Sequence, residues 1–111
     1  MNFEISRYGQ LMKLTEVINQ LSALPSETYV CVRRPWGHDS EAVLVPFPPD
    51  LRIPAEVQEC GFEYFLEVST ANKILEPFLA AGPTPSQVFD FVLYYAENDA
   101  FPDWANELSN H

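Results

Sequence analysis

His38 and Asp39, with Glu41 two positions further on, form the only compact set in the chain whose side chains suit metal ligation or proton transfer. An imidazole beside carboxylates is a donor set for a transition metal or for an acid–base pair. A transition-metal site takes three or four protein ligands, several of them His or Cys, and the other histidine is the distant His111. His38 is also the sole base available to activate Cys31 or a serine as a nucleophile. Only four glycines occur, and no glycine-rich phosphate loop, nucleophile elbow or CxxC pair is present. With sixteen acids to choose from, no carboxylate pair stands out for glycoside chemistry. Cys31 and Cys60 are too few and too far apart for a disulfide scaffold or a metal knuckle, and they read as small buried hydrophobes. The expectation is a solvated loop around His38, with no catalytic residue, no metal and no cofactor.

The elements that must position these residues follow from hydrophobic period. Leu11, Leu14, Ile18 and Leu21 recur at helical spacing, predicting a first helix from about Gly9 to Ala23, closed by Pro25. Residues Thr28–Arg33 and Ala42–Phe47 are rich in β-branched and aromatic side chains and read as two strands. The eight residues from Arg34 to Glu41 between them predict a hairpin with an extended, exposed tip. Pro46, Pro48, Pro49 and Pro54 exclude a central strand next, and Pro54 and Gly61 bracket a short helix. Phe62, Tyr64, Leu66 and Val68 alternate with Glu63, Phe65 and Glu67, predicting a third strand over residues 62–68 with one buried face. Ser69 is the expected N-cap of a helix ending near Gly82, kinked or split at Pro77. Thr84-Pro85-Ser86-Gln87 combines a capping box with proline at the first helical position and starts a last helix running to about Glu97. Its Val88, Phe91, Val92 and Tyr95 make a core stripe, while Phe89, Leu93, Tyr94 and Ala96 carry apolar surface almost around it. Such a helix is either central or meets another chain.

Charge bounds the partners. Sixteen acids face six bases, for a formal net charge of −10, and no lysine or arginine follows Lys73. That field repels nucleic acid and anionic membrane, and it attracts basic partners. Arg33 and Arg34 beside Trp36 are the one basic spot, expected to pair with nearby acids or to stack on the indole. No run approaches the roughly 18 apolar residues of a membrane span. The N-terminus lacks a basic region followed by an apolar run, so a cytoplasmic address is expected. The most distinctive segment runs from Tyr94 to Trp104. In it Asn98 is expected to take the left-handed conformation that ends the helix, and Asp99 to bond the turn, with Phe101 and Trp104 folded on the body. Its functional reading is an acidic, aromatic patch, Tyr94, Glu97, Asp99, Asp103 and Trp104, that recognises a basic surface.

The order of elements, ending in a tyrosine-rich helix and the turn Asn98-Asp99-Ala100-Phe101, resembles a family of small acidic bacterial proteins of unknown function. In size and charge the chain is also similar to immunity proteins that neutralise bacterial toxins. The resemblance implies a bacterial, cytosolic protein and supplies no catalytic residue.

Residues 1–111 therefore read as one α+β domain, a three-stranded antiparallel or mixed sheet covered by about four helices. The helix-containing connection before residue 62 leaves a parallel right-handed crossover open. The leading functional expectation is a non-enzymatic module binding a basic protein, like an immunity protein. The alternatives are a homodimerising structural or regulatory subunit, built on the apolar last helix, and a small enzyme or metal protein using the His38 loop.

Overall fold

The structure, a computed structural model, describes residues 11–105. In chain order these form β1 (Met12–Lys13), α1 (Leu14–Asn19), a 3-10 turn (Leu21–Ala23), β2 (Thr28–Arg33), β3 (Glu41–Pro46), α2 (Ala55–Glu59), β4 (Phe62–Glu67), α3 (Val68–Leu79) and α4 (Pro85–Asn98). The four strands make one antiparallel sheet in the order β1-β3-β2-β4. The α+β class agrees with expectation, but the sheet has four strands and not three. The extra strand is two residues long, too short to show alternation.

That strand also corrects the first helix. Residues 9 and 10 lie outside the described residues. Leu11 is not helical, and Met12 and Lys13 pair with Ala42 and Glu41 of β3. The helix begins only at Leu14, where the Leu14 and Thr15 amides donate to the carbonyls of Ser40 (2.8 Å) and His38 (3.1 Å), and Lys13 N donates to Glu16 Oε1 (3.0 Å). Orphan amides of a first turn must find acceptors, and here the hairpin loop provides two of them. The helical spacing nonetheless marked the buried residues Leu14, Ile18 and Leu21 correctly.

β2 is the centre of the molecule, paired with β3 on one side and β4 on the other. Being antiparallel to both, it makes β3 and β4 point the same way with β2 between them. The crossover through α2 therefore joins two strands that are not neighbours. Both faces of β2 are buried. Val30 and Val32 face α1, α3 and α4 in the larger core, where Leu14, Phe65, Phe78, Phe89 and Phe91 meet. Tyr29 and Cys31 face the smaller core of Val43, Val45, Val57 and Phe62. The proline-rich crossing lies over this second face, held where the Tyr29 hydroxyl donates to the Leu51 carbonyl (2.7 Å) and its ring meets Phe47 at 4.6 Å. Each fully buried Val or Phe contributes about 1.5–3 kcal/mol relative to exposure, so two cores in so short a chain offset much of the chain entropy.

β4 departs from the simple alternation that predicted one buried face. Cys31 lies opposite Tyr64, but Val30 lies opposite Leu66, so Phe65 is an inserted residue and forms a bulge. The insertion shifts the alternation. Phe62 stays in the smaller core, Phe65 and Leu66 enter the larger one, and Tyr64 is left 47% exposed.

β4 runs into α3 without a loop, so the N-cap is Glu67 and not Ser69, and no side chain caps this end. Pro77 does not split α3, which continues to Leu79. A proline there removes only a bond to the Lys73 carbonyl, near the end of the helix where carbonyls go unpaired anyway. The start of α4 is as expected. Gln87 N donates to Thr84 Oγ1 (3.1 Å), Thr84 N donates to Gln87 Oε1 (2.8 Å), and Pro85 occupies the first position. Thr84→Ala is expected to lower stability by about 1 kcal/mol, with Thr84→Ser close to wild type. Urea unfolding of the three proteins checks this, and equal midpoints would mean the reciprocal bonds contribute nothing net.

Candidate functional site

The connection, residues 34–40, is exposed at Arg34, Pro35, His38 and Asp39 as expected, yet it is not free of the body. Ser40 Oγ accepts from Gly37 N and donates to the Pro35 carbonyl, both at 2.7 Å, and Trp36 Nε1 donates to the Val32 carbonyl at 3.2 Å. So braced, the loop folds back on α1 and α4. The His38 ring stacks on Phe89 with centroids 3.8 Å apart and planes 14° from parallel. Asp39 reaches Lys13 at 3.6 Å, and Glu41 pairs with Arg33. The three residues closest to a site in sequence are thus drawn to three different partners. No three His, Cys, Asp or Glu side chains converge as a metal set among the described residues, and His111 lies outside them. The loop around His38 is solvated, His38 and Asp39 being exposed, and it is also docked on one side, because an imidazole and an indole cover apolar surface that water would otherwise wet.

Cys31 and His38 do not approach either. Cys31 is fully buried in the smaller core, while His38 lies on Phe89 of the larger core, across the sheet. Burial pushes the Cys31 thiol up from 9.0 to about 12. A thiol so far from ionising is no nucleophile. Cys60 is half-buried at the end of α2, and its carbonyl accepts from Arg33 Nε at 2.9 Å.

The basic spot is consumed internally, as its composition suggested. The Arg33 guanidinium sits 4.4 Å from the centre of the Phe62 ring. The Arg34 guanidinium lies 3.5 Å over Trp36, whose edge meets Phe65 at 4.9 Å. Arg34 also donates to Glu97 at 2.9 Å and approaches Glu63 at 3.5 Å, tying the loop to the last turn of α4 and to β4. These carboxylates, Glu97 foremost, hold the guanidinium's pKa above its ordinary value. A cation at a helix C-terminus is also favoured by the dipole.

At that end of α4 stands the largest set of exposed aromatic side chains among the described residues. Tyr94 is 41%, Phe101 54% and Trp104 36% exposed. Asp99 takes the left-handed conformation (φ 55°, ψ 37°) and its amide donates to the Tyr95 carbonyl at 2.7 Å. The roles expected of Asn98 and Asp99 are therefore exchanged, since Asn98 remains helical and its amide group bonds the Tyr94 carbonyl at 3.0 Å. Beyond this cap Phe101 returns to Phe91 (5.7 Å) and Tyr95 (5.4 Å), and Trp104 meets Phe78 edge-on at 5.8 Å. Helical geometry places Tyr94 between the Phe91 strip and Glu97, so the five residues singled out from sequence border one end of the molecule. Four of them are open. Glu97 is taken by Arg34. Phe101, 54% exposed, joins the same end and was not foreseen as open surface, whereas Leu79, 52% exposed, lies at the other end of α4 in a groove with Pro85 and Val88. Hydrophobic residues carry no mark in sequence of being left outside.

No helix among the described residues is long and apolar enough to cross a membrane. Neither the curated proteins nor the solved structures include one that matches the chain. A family model, by contrast, matches residues 11–104, nearly the whole of the described fold. In keeping with the unknown-function family that the Asn98–Phe101 turn suggested, the chain belongs to the family described as a domain of unknown function, DUF7716.

Proposed function

We propose that the chain is a non-enzymatic binding module that engages a basic protein through the acidic, aromatic end of α4, in the way an immunity protein neutralises a toxin in the bacterial cytoplasm. One observation carries the reading. Tyr94, Phe101 and Trp104 are each a third or more exposed, and the neighbouring Asp90, Asp99 and Asp103 form no ion pair among the described residues. Ringed anchors beside unpaired carboxylates suit an Arg- or Lys-bearing surface, with the aromatics supplying contact area and the acids speeding encounter.

The other readings draw less support. Self-association was to use the apolar surface around α4, and Phe89, Phe91 and Val92 now fill the core instead. An enzyme or metal protein would need His38, Asp39 and Cys31 together, and each is committed elsewhere.

The test is to use the protein as bait in lysate of its source, to identify what salt releases, and to measure the kinetics of that pair. The partner is expected to be basic. Asp90→Lys with Asp103→Lys should slow association by about tenfold at low salt, and Trp104→Ala should weaken binding by about 2 kcal/mol, mainly through faster dissociation. A neutral or acidic partner, or variants that bind like wild type, would sink the proposal.

A further inference from the structure

A second surface lies at the outer edge of the sheet. β4 pairs with β2 alone, and among the described residues no backbone group of any other strand or loop bonds residues 62–67. An edge strand turns a row of N–H and C=O groups outward, a template for another extended chain. Beside this edge runs a cleft of about 400 Å³ lined by Ile53, Gln58, Gly61, Phe62, Glu63 and Tyr64. It opens into a hollow of about 690 Å³ that shares Ile53 and Gln58 and reaches Asp50 and Pro54. Gln58 is steadied by its bond to the Ile53 carbonyl at 3.1 Å, and Tyr64, 47% exposed, forms the outer wall. A free edge beside a cleft with an apolar floor meets the two needs of strand addition, in which main-chain bonds supply affinity and side-chain pockets supply selectivity.

We propose that β4 takes an extended segment of a partner protein carrying alternating apolar and basic side chains, its apolar residue seated between Ile53, Phe62 and Tyr64. Charge selects this occupant. Glu63 is held by Arg34, but Glu67 lies on the strand and Asp50 in the hollow, Arg52 is the only cation of the two linings, and the chain as a whole carries a net charge of −10. A second copy of the chain is the poorer occupant. Antiparallel pairing of two β4 strands brings Glu63 and Glu67 of one chain beside those of the other, and each copy adds a net charge of −10. The bulge at Phe65 further breaks the flat edge, which suits a short segment and opposes continuous sheet growth. The lining shares no residue with the patch at the end of α4, from which the Arg34 side chain bonded to Glu63 and Glu97 divides it, and the site stands whether or not that patch binds anything.

Two hexapeptides, one alternating valine with lysine and the other valine with glutamate, are titrated into the full chain while backbone resonances and amide exchange are followed. The valine–lysine peptide is expected to shift and protect amides within residues 62–67 and at Gln58, the valine–glutamate peptide to leave them unchanged, and Tyr64→Thr, which keeps the strand propensity, to weaken the effect several-fold. Equal response to both peptides, response to neither, or changes confined to Tyr94–Trp104 would overturn the proposal. The last outcome would at the same time favour the α4 surface, so the two readings fail separately.

Discussion

Phe78→Ala is expected to remove about 3–5 kcal/mol of stability, the usual cost of emptying a buried aromatic site. Phe78 is 2% exposed and is the side chain on which the helical layer closes. Its ring stacks on Phe91 of α4 at 4.2 Å, with planes 13° from parallel, and receives the edge of Trp104 at 5.8 Å. Domains of this size have roughly 5–15 kcal/mol in total, so the loss is a large share of the whole. It also reaches the proposed binding surface. Trp104 is 36% exposed and loses its support, so amide exchange near residue 104 should rise by more than the global destabilisation accounts for. Phe78→Leu, which keeps most of the volume, should cost only about 1–1.5 kcal/mol. Urea unfolding followed by far-UV circular dichroism checks the ranking. A loss below about 1 kcal/mol for the alanine variant would mean that α3 and α4 are not held together through this ring.

The second large effect is on the pH dependence that Cys31 imposes. Its thiol is fully buried between β3 and β4 in the smaller core, and burial raises its pKa from 9.0 to about 12. The sign follows from linkage. Above pH 9 the unfolded chain releases this proton and the native chain holds it, so the stabilisation is complete below pH 9 and is lost as pH climbs towards 12. One group shifted this far favours unfolding by about 1.4 kcal/mol at pH 10 relative to neutral pH. Tyrosines and lysines titrate in the same range, so the measurable quantity is the difference from Cys31→Ala, whose stability should fall less steeply between pH 8 and pH 10, whatever its cavity costs at pH 7. Thiol labelling gives an independent reading. At pH 8 the half-buried Cys60 should react first, and Cys31 about a thousandfold more slowly than a free thiol, from the thiolate fraction alone. Rapid labelling of both, with parallel pH profiles for wild type and Cys31→Ala, would show that β2 is not sealed on this face.

Local patterns in the chain carried most of the secondary structure. The Thr84–Gln87 box and Pro85 marked the start of α4, because reciprocal capping needs only residues three apart. Thr28–Arg33 emerged as β2 with the expected bounds, since a strand buried on both faces reads as a continuous apolar run. The errors fall where the deciding partner is remote. Leu11 to Lys13 kept a helical period, yet β3 and the Ser40 and His38 carbonyls drew the chain into a strand first and delayed the helix to Leu14. In β4 the alternation was plain, but pairing with β2 across a bulge at Phe65 redistributed its side chains between two cores.

The proposed sites divide in the same way. Tyr94, Asp99, Asp103 and Trp104 were visible as a cluster because they are close in sequence, and the net charge of −10 is fixed by composition. What the fold alone decided is which groups stay available. Arg34 consumes Glu97 and Glu63, His38 stacks on Phe89, the central strand separates Cys31 from His38, and strand order leaves the edge of β4 unpaired among the described residues beside Ile53 and Phe62. The sequence by itself determined charge, element types and caps, because those depend on residue identity and on neighbours within one helical turn. Only the tertiary structure decided pairing, exposure and the free edge, because those depend on side chains brought together from positions tens of residues apart.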